Sequence, residues 1–368
     1  MSDAASQPSV IVIDHTSAPG GAELALPRIA RHARLPWTFA FLEPLDDRLP
    51  FDPLAVTDAP PQRLNLVQQI LRTRRLLRAH ESSTVVSNTL RAAVFVSLLK
   101  PRAQTHLQIL HDGVDAASLG RGKRLLTSFV FAVGVTAVLP NSRWTASTVP
   151  ARFRSLLGTP VYSPSGATGT ESFPRERPRR TPLRLLSLSR IVSWKGIHVI
   201  LDALEILSEE VPSRDIELTI AGNSVMGPEK YVEDLKIRAS QLPFTVRFLG
   251  HRSDVAQVLD NHDVLVHAST RPEPFGQVVV QGLAHGLIVL ASRAGGPAEI
   301  IEDGVTGLLH EPGDANSMAR AIRAILDRPD LGDSLAAAGT GRVHAFTDSA
   351  CTELLENQII KASAESTR

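Results

Sequence analysis

One short acidic loop holds several residues whose types and spacing suit ligand chemistry. Glu273 lies between the apolar run 264–269, which is typical of a buried parallel strand, and Gly276, where a helical pattern begins. In an open α/β sheet, such a loop reaches the carboxyl edge of the strands, where ligands bind. The backbone NH groups of Phe275, Gly276 and Gln277 would stand at a helix start, which suits a phosphate. We therefore predict that an anionic ligand binds at this loop.

The helix predicted after Gly276 carries two amide side chains on one face. Gln277 and Gln281 are four residues apart, which places them one helical turn from each other. A second apolar run, 288–291, follows and leads to the glycine pair Gly295-Gly296. The order of strand, glycine loop and helix is thus repeated within this stretch.

Two cations five residues apart form a second candidate site. Arg190 and Lys195 lie between the predicted strand 183–188 and Gly196, which precedes a helix. A guanidinium binds paired oxygens and an ammonium acts as a point charge, so the pair suits a diphosphate. Because cations are common in loops, this assignment depends on their lying at the same sheet edge as Glu273.

The N-terminal half adds a glycine pair and a histidine at strand ends. Gly20 and Gly21 separate the first predicted strand from a helix and would let the backbone approach a ligand, although a tight turn would need the same pair. Their loop lacks the GxGxxG spacing of a dinucleotide fingerprint, which disfavours a nicotinamide dehydrogenase. His111 directly follows the predicted strand 105–110, a position that favours a functional role over a structural one.

Apolar strand patterns alternate with helical patterns along both halves of the chain. This alternation predicts an α/β protein with two doubly wound parallel sheets. We place an N-terminal domain at 1–166 and a C-terminal domain at 183–345, and a C-terminal helix at 346–368 that packs back toward the N-terminal domain. The segment 167–182 breaks all periodicity with Pro, Arg and small polar residues, as an interdomain linker does.

A helix predicted over 62–80 combines an apolar stripe with a basic face. A solvated surface is the simpler interpretation, and contact with anionic lipid head groups is the alternative. The residues of the basic face are Arg72, Arg74, Arg75 and Arg78.

Composition restricts the class of protein. The 368 residues, 43% of them hydrophobic, can bury two cores. A net charge of +1 gives no indication of a nucleic-acid partner, and the single cysteine, Cys351, excludes an intramolecular disulfide and a Cys-based zinc site. Residues 1–14 lack a signal-peptide pattern, and no apolar run reaches the roughly 18 residues of a membrane span. We therefore expect a cytoplasmic protein, with peripheral contact with the inner membrane face left open.

The small net charge hides an uneven distribution. Residues 1–180 hold 22 Lys and Arg against 13 Asp and Glu, and the remainder holds 17 against 25. The two halves are therefore electrostatically complementary.

Four motifs together resemble the family 4 retaining glycosyltransferases of the GT-B fold, over most of residues 9–345. They are PGGAE at 19–23, the His111-Asp112 pair, RIVSWKG at 190–196, and EPFGQVVVQGLAHG at 273–286 followed by GGPAEII. The resemblance implies two Rossmann-like domains facing each other across a cleft, the N-terminal one binding the acceptor and the C-terminal one binding the nucleotide sugar. It also implies transfer of a hexose from a nucleotide diphosphate sugar to an acceptor hydroxyl, with retention at the anomeric carbon.

The resemblance implies roles for residues of the C-terminal half. Arg190 and Lys195 match the cations that hold the donor diphosphate and stabilise charge on the leaving group. Glu273 matches the first acid of the family's Glu-x7-Glu motif, which contacts hydroxyls of the donor sugar. The helix-start amides that bind phosphate correspond to Phe275, Gly276 and Gln277.

In the N-terminal half, Gly21 resembles the loop that meets phosphate or acceptor, and Gly20 and Glu23 belong to the same motif and are assigned to acceptor binding. His111 resembles a histidine near the transferred sugar. The catalytic set implied by the resemblance is therefore His111, Glu273, Arg190 and Lys195.

One position departs from the family pattern. The second acid of the motif is replaced by Gln281. In the family, that carboxylate accepts hydrogen bonds from both ribose hydroxyls, whereas an amide offers one acceptor oxygen and a donating NH2 group. We expect the change to alter nucleotide affinity more than the chemistry.

The sequence also supports expectations about the cofactor and the acceptor. No Asp-x-Asp pair suited to a diphosphate-bound metal occurs, so we expect Arg190 and Lys195 to replace a metal ion and no cofactor besides the donor substrate. A lipid-linked or cell-envelope glycan is the preferred acceptor, and a soluble small molecule is the alternative. Two other functions stay open: a non-catalytic nucleotide-binding subunit, suggested by Gln281, and a phosphorylase or epimerase with the same fold.

Overall fold

The computed structural model describes residues 8–18, 20–168, 181–224 and 229–366. The chain divides into two compact units. Unit 1 comprises Met1–Gly166 and Phe346–Arg368, and unit 2 comprises Ala167–Ala345. Most of the predicted linker, residues 169–180, lies outside the described residues.

Unit 1 contains a parallel sheet with the strand order β3-β2-β1-β4-β5-β6. Its strands are β1 (Val10–Asp14), β2 (Trp37–Phe41), β3 (Val56–Asp58), β4 (Thr84–Ser87), β5 (His106–Leu110) and β6 (Ala137–Pro140). Its helices are α1 (Gly21–His32), α2 (Leu66–Ala79), α3 (Leu90–Leu99), α4 (Arg121–Val133), α5 (Arg143–Ser147) and, from the C-terminal end of the chain, α13 (Asp348–Ser366).

Unit 2 contains a second parallel sheet, with the order β12-β11-β10-β7-β8-β9. The strands are β7 (Leu183–Leu188), β8 (Ile216–Ala221), β9 (Thr245–Gly250), β10 (Val264–His267), β11 (Ile288–Ser292) and β12 (Leu308–His310). The helices are α6 (Ile197–Leu207), α7 (Glu229–Gln241), α8 (Val255–Asp260), α9 (Gln277–Ala284), α10 (Pro297–Ile300), α11 (Ala315–Asp327) and α12 (Pro329–Arg342). The predicted pair of doubly wound parallel sheets is therefore confirmed.

The strands of the first sheet divide their side chains between two helix layers. Val10 and Val12 of β1 pack in the layer that contains α1 and α13, whereas Ile11 and Ile13 pack in the layer that contains α2 and α3. All four side chains are buried. Because a parallel sheet is covered on both faces, its strands need apolar residues at successive positions, and this makes them visible as continuous apolar runs.

The second sheet is covered in the same way. Leu185, Val266 and Leu290 pack on one face with residues of α6 and α11. On the other face, Gly282 of α9 approaches the sheet so closely that an added Cβ would lie 2.6 Å from Cδ2 of Leu265. This close approach fixes α9, and therefore the loop before it, against β10.

The C-terminal helix α13 is part of the unit 1 core. Ile359 is fully buried among residues of β1, β2 and α1. Oε1 of Glu356 accepts hydrogen bonds from the backbone NH groups of Arg34 and Leu35, at 2.9 Å each, and from Nε1 of Trp37 at 2.8 Å. Unit 1 is thus built from two segments that are far apart in sequence.

Helix α2 begins at Leu66, later than the predicted start at 62, because Asn65 caps it. The Asn65 side chain accepts a hydrogen bond from the Gln68 NH at 3.0 Å, and the Gln68 side chain accepts one from the Asn65 NH at 2.9 Å. This reciprocal arrangement is a capping box, which satisfies NH groups that a helix start otherwise leaves without partners.

The basic face predicted on α2 needs one correction. Arg72 does not belong to it, because its guanidinium donates to Oδ1 of Asp58 at 2.7 Å and to the Phe41 carbonyl at 3.1 Å. Only 20% of the Arg72 side chain is exposed, since the ion pair holds it against the sheet edge. The exposed basic residues of α2 are Arg74, Arg75 and Arg78.

Candidate active site

Two loops of unit 2 meet because their strands are neighbours in the sheet. The loop with Arg190 and Lys195 follows β7, the loop with Glu273 follows β10, and β7 pairs with β10. Nζ of Lys195 donates to Oε2 of Glu273 at 2.5 Å. The structure therefore brings a cation and a carboxylate 78 positions apart into direct contact at the carboxyl edge of the sheet.

Glu273 is held by three side chains through one oxygen. Besides Lys195, Ser269 donates to Oε2 at 2.9 Å and Nε2 of His267 lies 3.4 Å from it. Burial raises the pKa of Glu273, but the Lys195 charge and the hydrogen bond from His267 outweigh burial, so the pKa lies well below its ordinary value. Within the described residues, Oε1 of Glu273 forms no hydrogen bond. The carboxylate is thus ionised and fixed, with one oxygen available for a ligand.

Lys195 is positioned by the short 3-10 turn Ser193–Lys195 and by the glycine after it. Its Nζ lies 4.3 Å from the centre of the Trp194 ring, a favourable cation–π distance. Gly196 has φ +69°, and an added Cβ would lie 1.9 Å from the carbonyl oxygen of Ala268. Only glycine allows this approach, so the turn that presents Lys195 is packed directly on the end of β10.

The structure does not bring Arg190 into contact with Glu273. The Arg190 side chain is exposed, and it forms no ion pair within the described part of the chain. The backbone beside it is fixed, because the Ile191 NH donates to the Asn223 carbonyl at 3.0 Å. Arg190 is therefore an exposed cation beside a hydrogen-bonded loop backbone.

The loop before α9 is held by the second glycine loop. An added Cβ would lie 2.1 Å from the Glu273 carbonyl oxygen at Gly295, and 2.2 Å from the Phe275 carbonyl oxygen at Gly296. The Gly296 NH donates to the Glu273 carbonyl at 2.8 Å. The two backbones are therefore in direct contact, and the glycine pair is what permits it.

The start of α9 has the conformation expected from the sequence. Gly276 adopts φ +97° and ψ 54° and precedes the first helical residue, Gln277. Phe275 is buried, whereas Gln277 and Gln281 are both half-buried and one turn apart on α9. Glu273, the helix start and the two amides thus lie on consecutive parts of one strand–loop–helix unit, and Lys195 contacts this unit from the loop after β7.

Unit 1 has a polar network at the carboxyl edge of its own sheet. The four neighbouring strands β1, β4, β5 and β6 end at, or are followed directly by, Asp14, Asn88, His111 and Asn141. Nδ2 of Asn88 donates to Asp14 at 2.7 Å, and Oδ1 of Asn88 lies 2.8 Å from Nε2 of His111. Asn141 donates to the His111 carbonyl at 3.0 Å. His111, which follows β5, is therefore hydrogen-bonded to the residues that follow the neighbouring strands β4 and β6.

This network determines which nitrogen of His111 carries the proton. A carboxylate only accepts hydrogen bonds, so Asn88 turns its NH2 group to Asp14 and its oxygen to His111. Nε2 of His111 must then be the donor. Burial lowers the pKa of His111, against the opposing charges of Asp112 and Asp14. The imidazole is consequently neutral near pH 7, with a lone pair on Nδ1.

The N-terminal glycine motif forms the start of α1. Gly20 precedes the helix in an extended conformation, and Gly21 is its first residue. Glu23 lies in the first turn, where burial and the nearby charge of Asp14 raise its pKa. Residue 19 of the motif lies outside the described residues. The start of α1 thus adjoins the polar network that contains His111.

Several residues of both clusters were not identified from the sequence. His267 and Ser269 were counted within a strand run, although polar residues at alternate positions of an apolar strand are a detectable signal. Asp14, Asn88 and Asn141 were overlooked, although each stands at a strand's carboxyl end, the same signal that identified His111. No group of three or more His, Cys, Asp or Glu side chains suited to a metal ion occurs in the described ranges.

Comparison with known proteins finds a family model that covers the Lys195–Glu273 cluster. Residues 170–342 match the family model described as Glycosyl transferases group 1. Glycogen synthase of Mycobacterium tuberculosis is 32% identical over 178 residues, which cover 48% of this chain and 42% of the relative. Human alpha-1,3/1,6-mannosyltransferase ALG2 is 30% identical over 242 residues, which cover 61% of this chain and 58% of the relative. The matches thus span about half the length of these curated relatives.

The fold is shared along nearly the whole chain with a solved structure. HepE of Anabaena, solved in complex with UDP-glucose, aligns with a TM-score of 0.77 at 23% sequence identity, covering 95% of this chain and 98% of HepE. This likeness establishes the GT-B fold that the sequence motifs predicted. Residues 170–342, which include the Lys195–Glu273 pair and the start of α9, are thus similar to the glycosyl transferases of group 1.

Proposed function

We propose that this protein is a retaining glycosyltransferase that moves a hexose from a nucleotide diphosphate sugar to an acceptor hydroxyl. The observation that carries the proposal is the Lys195–Glu273 pair beside the start of α9. It combines a carboxylate for sugar hydroxyls with cationic and helix-start groups for a diphosphate. The family match supports glycosyl transfer, and the UDP-glucose complex of HepE makes UDP-sugars the first donors to test.

In the proposed reaction, the bond between the anomeric carbon and the β-phosphate oxygen breaks, and a bond to the acceptor oxygen forms on the same face of the sugar. The proton of the acceptor hydroxyl passes to the departing β-phosphate oxygen, and the nucleoside diphosphate leaves with the bonding electron pair. Negative charge therefore grows on the β-phosphate, and we assign its stabilisation to Arg190, Lys195 and the amides at the start of α9. We propose that these groups act without a metal ion.

Glu273 is assigned to the donor sugar. Three donors already bind its Oε2, which holds the carboxylate in place and leaves Oε1 to accept from a sugar hydroxyl. The same contact holds Lys195, whose ammonium has further N–H groups to offer to phosphate. Each member of the pair thus positions the other for a different part of the donor.

His111 is assigned to the transferred sugar as an acceptor of hydrogen bonds. Its Nε2–H is committed to Asn88, so Nδ1 is the nitrogen that a sugar hydroxyl would meet. Gly20, Gly21 and Glu23, at the start of α1, are assigned to the loop that meets the acceptor or the phosphate. A lipid-linked or cell-envelope glycan is the proposed acceptor, with a soluble small molecule as the alternative; the exposed Arg74, Arg75 and Arg78 favour the first.

The proposal is tested by hydrolysis of UDP-, GDP-, ADP- and dTDP-sugars by the purified chain, preceded by a thermal-shift screen of the same donors. We expect one donor to raise the unfolding temperature and to be hydrolysed slowly, with and without EDTA. Lys195→Ala should abolish hydrolysis, whereas Lys236→Ala, an exposed lysine of α7, should leave it unchanged. Proton NMR of the released sugar should show the anomeric configuration of the donor.

The outcomes separate the alternatives. Donor binding without hydrolysis under any condition would favour a non-catalytic nucleotide-binding subunit, the interpretation that Gln281 suggests. Release of a sugar phosphate that requires inorganic phosphate would favour a phosphorylase. If none of the donors binds and Lys195→Ala behaves like the unmodified chain, the proposed function is wrong.

A further inference from the structure

The helix layer on one side of unit 1 exposes much of the apolar surface of the protein. Helices α2, α3 and α4 pack side by side on the same face of the sheet. Among the residues that the structure describes, fifteen large apolar side chains are exposed, and eight of them lie on these three helices. Exposed apolar side chains that occur singly are ordinary, but a concentration on one layer indicates an interaction surface.

Helix α4 is the centre of this surface because it is apolar on both sides. Its inner side is buried through Thr127, Val130 and Phe131. A helix that covers a sheet normally turns polar residues to water on its outer side. The outer side of α4 instead exposes Leu125, Leu126, Phe129 and Val133, with exposed fractions of 73%, 40%, 41% and 55%.

The charge of the layer has a single sign. Helices α2, α3 and α4 together contain eight Arg and Lys residues and no Asp or Glu. Three of the cations, Arg121, Lys123 and Arg124, stand at the start of α4, next to its exposed apolar residues. Helix α4 therefore has a basic N-terminal end, and the rest of its outer side is apolar.

A basic pocket lies beside the start of α4. Arg121, Arg124 and Arg152 line a cavity of about 530 Å³, in which Asp115 is the only acidic lining residue described. Nε of Arg124 is buried and has no hydrogen-bond partner in the described part of the chain. A buried donor without a partner is costly, and a phosphate oxygen would satisfy it.

We propose that the face formed by α2, α3 and α4 docks on the surface of a membrane that contains anionic lipid. Helix α4 lies in the plane of the interface, its four exposed apolar side chains enter the acyl region, and head-group phosphates bind at Arg121, Arg124 and Arg152. The 13 residues of α4 are too few to cross a bilayer, and no described helix is both long and apolar enough to do so. This proposal is independent of the proposed glycosyl transfer.

Charge decides between a membrane and a second copy of the chain. Apart from Arg72, which is paired with Asp58, a two-fold dimer formed through this face would place seven cations opposite seven cations, with no acid in the three helices to neutralise them. An anionic lipid surface supplies both the negative charge and the apolar phase that the face requires.

The test is co-sedimentation of the full chain with vesicles of phosphatidylcholine, alone or mixed with phosphatidylglycerol. We expect binding to the mixed vesicles that weakens as salt is added. Leu125→Asp and Phe129→Asp should each lower the vesicle partition coefficient about tenfold or more, whereas Ile237→Asp, which changes an exposed residue of α7, should not. Arg124→Ala and Arg152→Ala should each lower binding to the mixed vesicles about fivefold, and Lys236→Ala should have no effect.

A tryptophan placed on the exposed side of α4 reports membrane contact directly, without relying on a loss of binding. Phe129→Trp should shift its fluorescence to shorter wavelength with the mixed vesicles and not with phosphatidylcholine alone. Absence of binding to both vesicles, or binding that Leu125→Asp and Phe129→Asp do not weaken, would overturn the proposal. A dimer in solution that Leu125→Asp converts to a monomer would assign the face to a second copy instead.

Discussion

Nζ of Lys195 lies 2.5 Å from Oε2 of Glu273, and both side chains are largely withdrawn from water, with exposed fractions of 10% and 16%. The contact joins the loops after β7 and β10, so it links the proposed diphosphate cation to the proposed sugar-binding carboxylate. Each charge is stable in this place because the other is present. Removing one should therefore harm the fold as well as the proposed chemistry.

A double-variant cycle measures this dependence. Lys195→Met leaves Glu273 buried and unpaired, so we expect it to lower the free energy of unfolding by about 3 kcal/mol. Adding Glu273→Gln should recover part of the loss, with a coupling energy of about 1–3 kcal/mol. Urea titrations of the four proteins provide the measurement.

The exposed pair Arg252–Asp254 is the control for that cycle. Its side chains are 39% and 34% exposed, so Asp254→Asn should leave the free energy of unfolding nearly unchanged. Equal costs for the two pairs, or additive effects of Lys195→Met and Glu273→Gln, would contradict the mutual stabilisation.

The contact between the two glycine loops predicts a second result. Gly295→Ala would place a Cβ 2.1 Å from the Glu273 carbonyl oxygen, at φ +79°, so we expect a loss of at least about 3 kcal/mol and weaker donor binding. Gly304→Ala is the matched control, since Gly304 has φ +76° and no heavy atom within 4 Å of the added Cβ. It should cost only about 1–2 kcal/mol, from the backbone conformation alone. Similar melting temperatures and donor affinities for the two variants would show that the loop contact is unimportant.

Gln281 predicts a change in nucleotide affinity. Gln281→Glu introduces a carboxylate that can accept from both ribose hydroxyls, so a ribonucleotide donor should bind about tenfold more tightly. The matching 2′-deoxyribonucleotide lacks one hydroxyl and should gain less. Titration calorimetry with both ligands gives the comparison. A variant that binds the ribonucleotide no better would remove Gln281 from the ribose site.

The neutral state of His111 predicts a pH dependence of stability. The pKa of His111 in the folded protein lies below its ordinary value of 6.5. As the pH falls through 6.5, the unfolded chain takes up a proton that folded His111 does not, so stability is full above 6.5 and is lost below it. We expect His111→Gln to reduce the slope of the unfolding free energy between pH 6.5 and 5, by at most about 1.4 kcal/mol per pH unit.

Tryptophan fluorescence can follow this effect in unit 1 alone. In a Trp194→Phe background, the two remaining tryptophans, Trp37 and Trp144, both belong to unit 1. At pH 8 the imidazole is neutral in both states, so a difference measured there reports packing only. Parallel pH profiles with and without His111 would mean that another group controls the slope.

Much of the fold was predictable because parallel strands covered on both faces appear as continuous apolar runs. The strand β7 has the predicted bounds, Leu183–Leu188. The short elements α10 and β12 were missed, since Pro297–Ile300 and Leu308–His310 are too short to show a period. The start of α2 was misplaced because its capping box lies inside a polar stretch that resembles helix.

The site was predictable where it depended on position relative to a strand. Glu273, Lys195 and His111 were found because each stands in a loop after an apolar run. The Lys195–Glu273 contact depends on β7 lying next to β10, and the linear sequence does not contain the strand order. Arg72 was misassigned for the same reason, because its partner Asp58 is the last residue of β3, a three-residue edge strand.

The two-segment construction of unit 1 sets the order in which the protein can be completed during synthesis. Residues 167–345, which form unit 2, leave the ribosome before α13 does. The β1–β2 side of the first sheet therefore lacks Ile359, and the NH groups of Arg34 and Leu35 lack Glu356, until α13 has been synthesised. The segment translated first is thus the last to reach its native core, the reverse of the usual N-to-C order of domain folding.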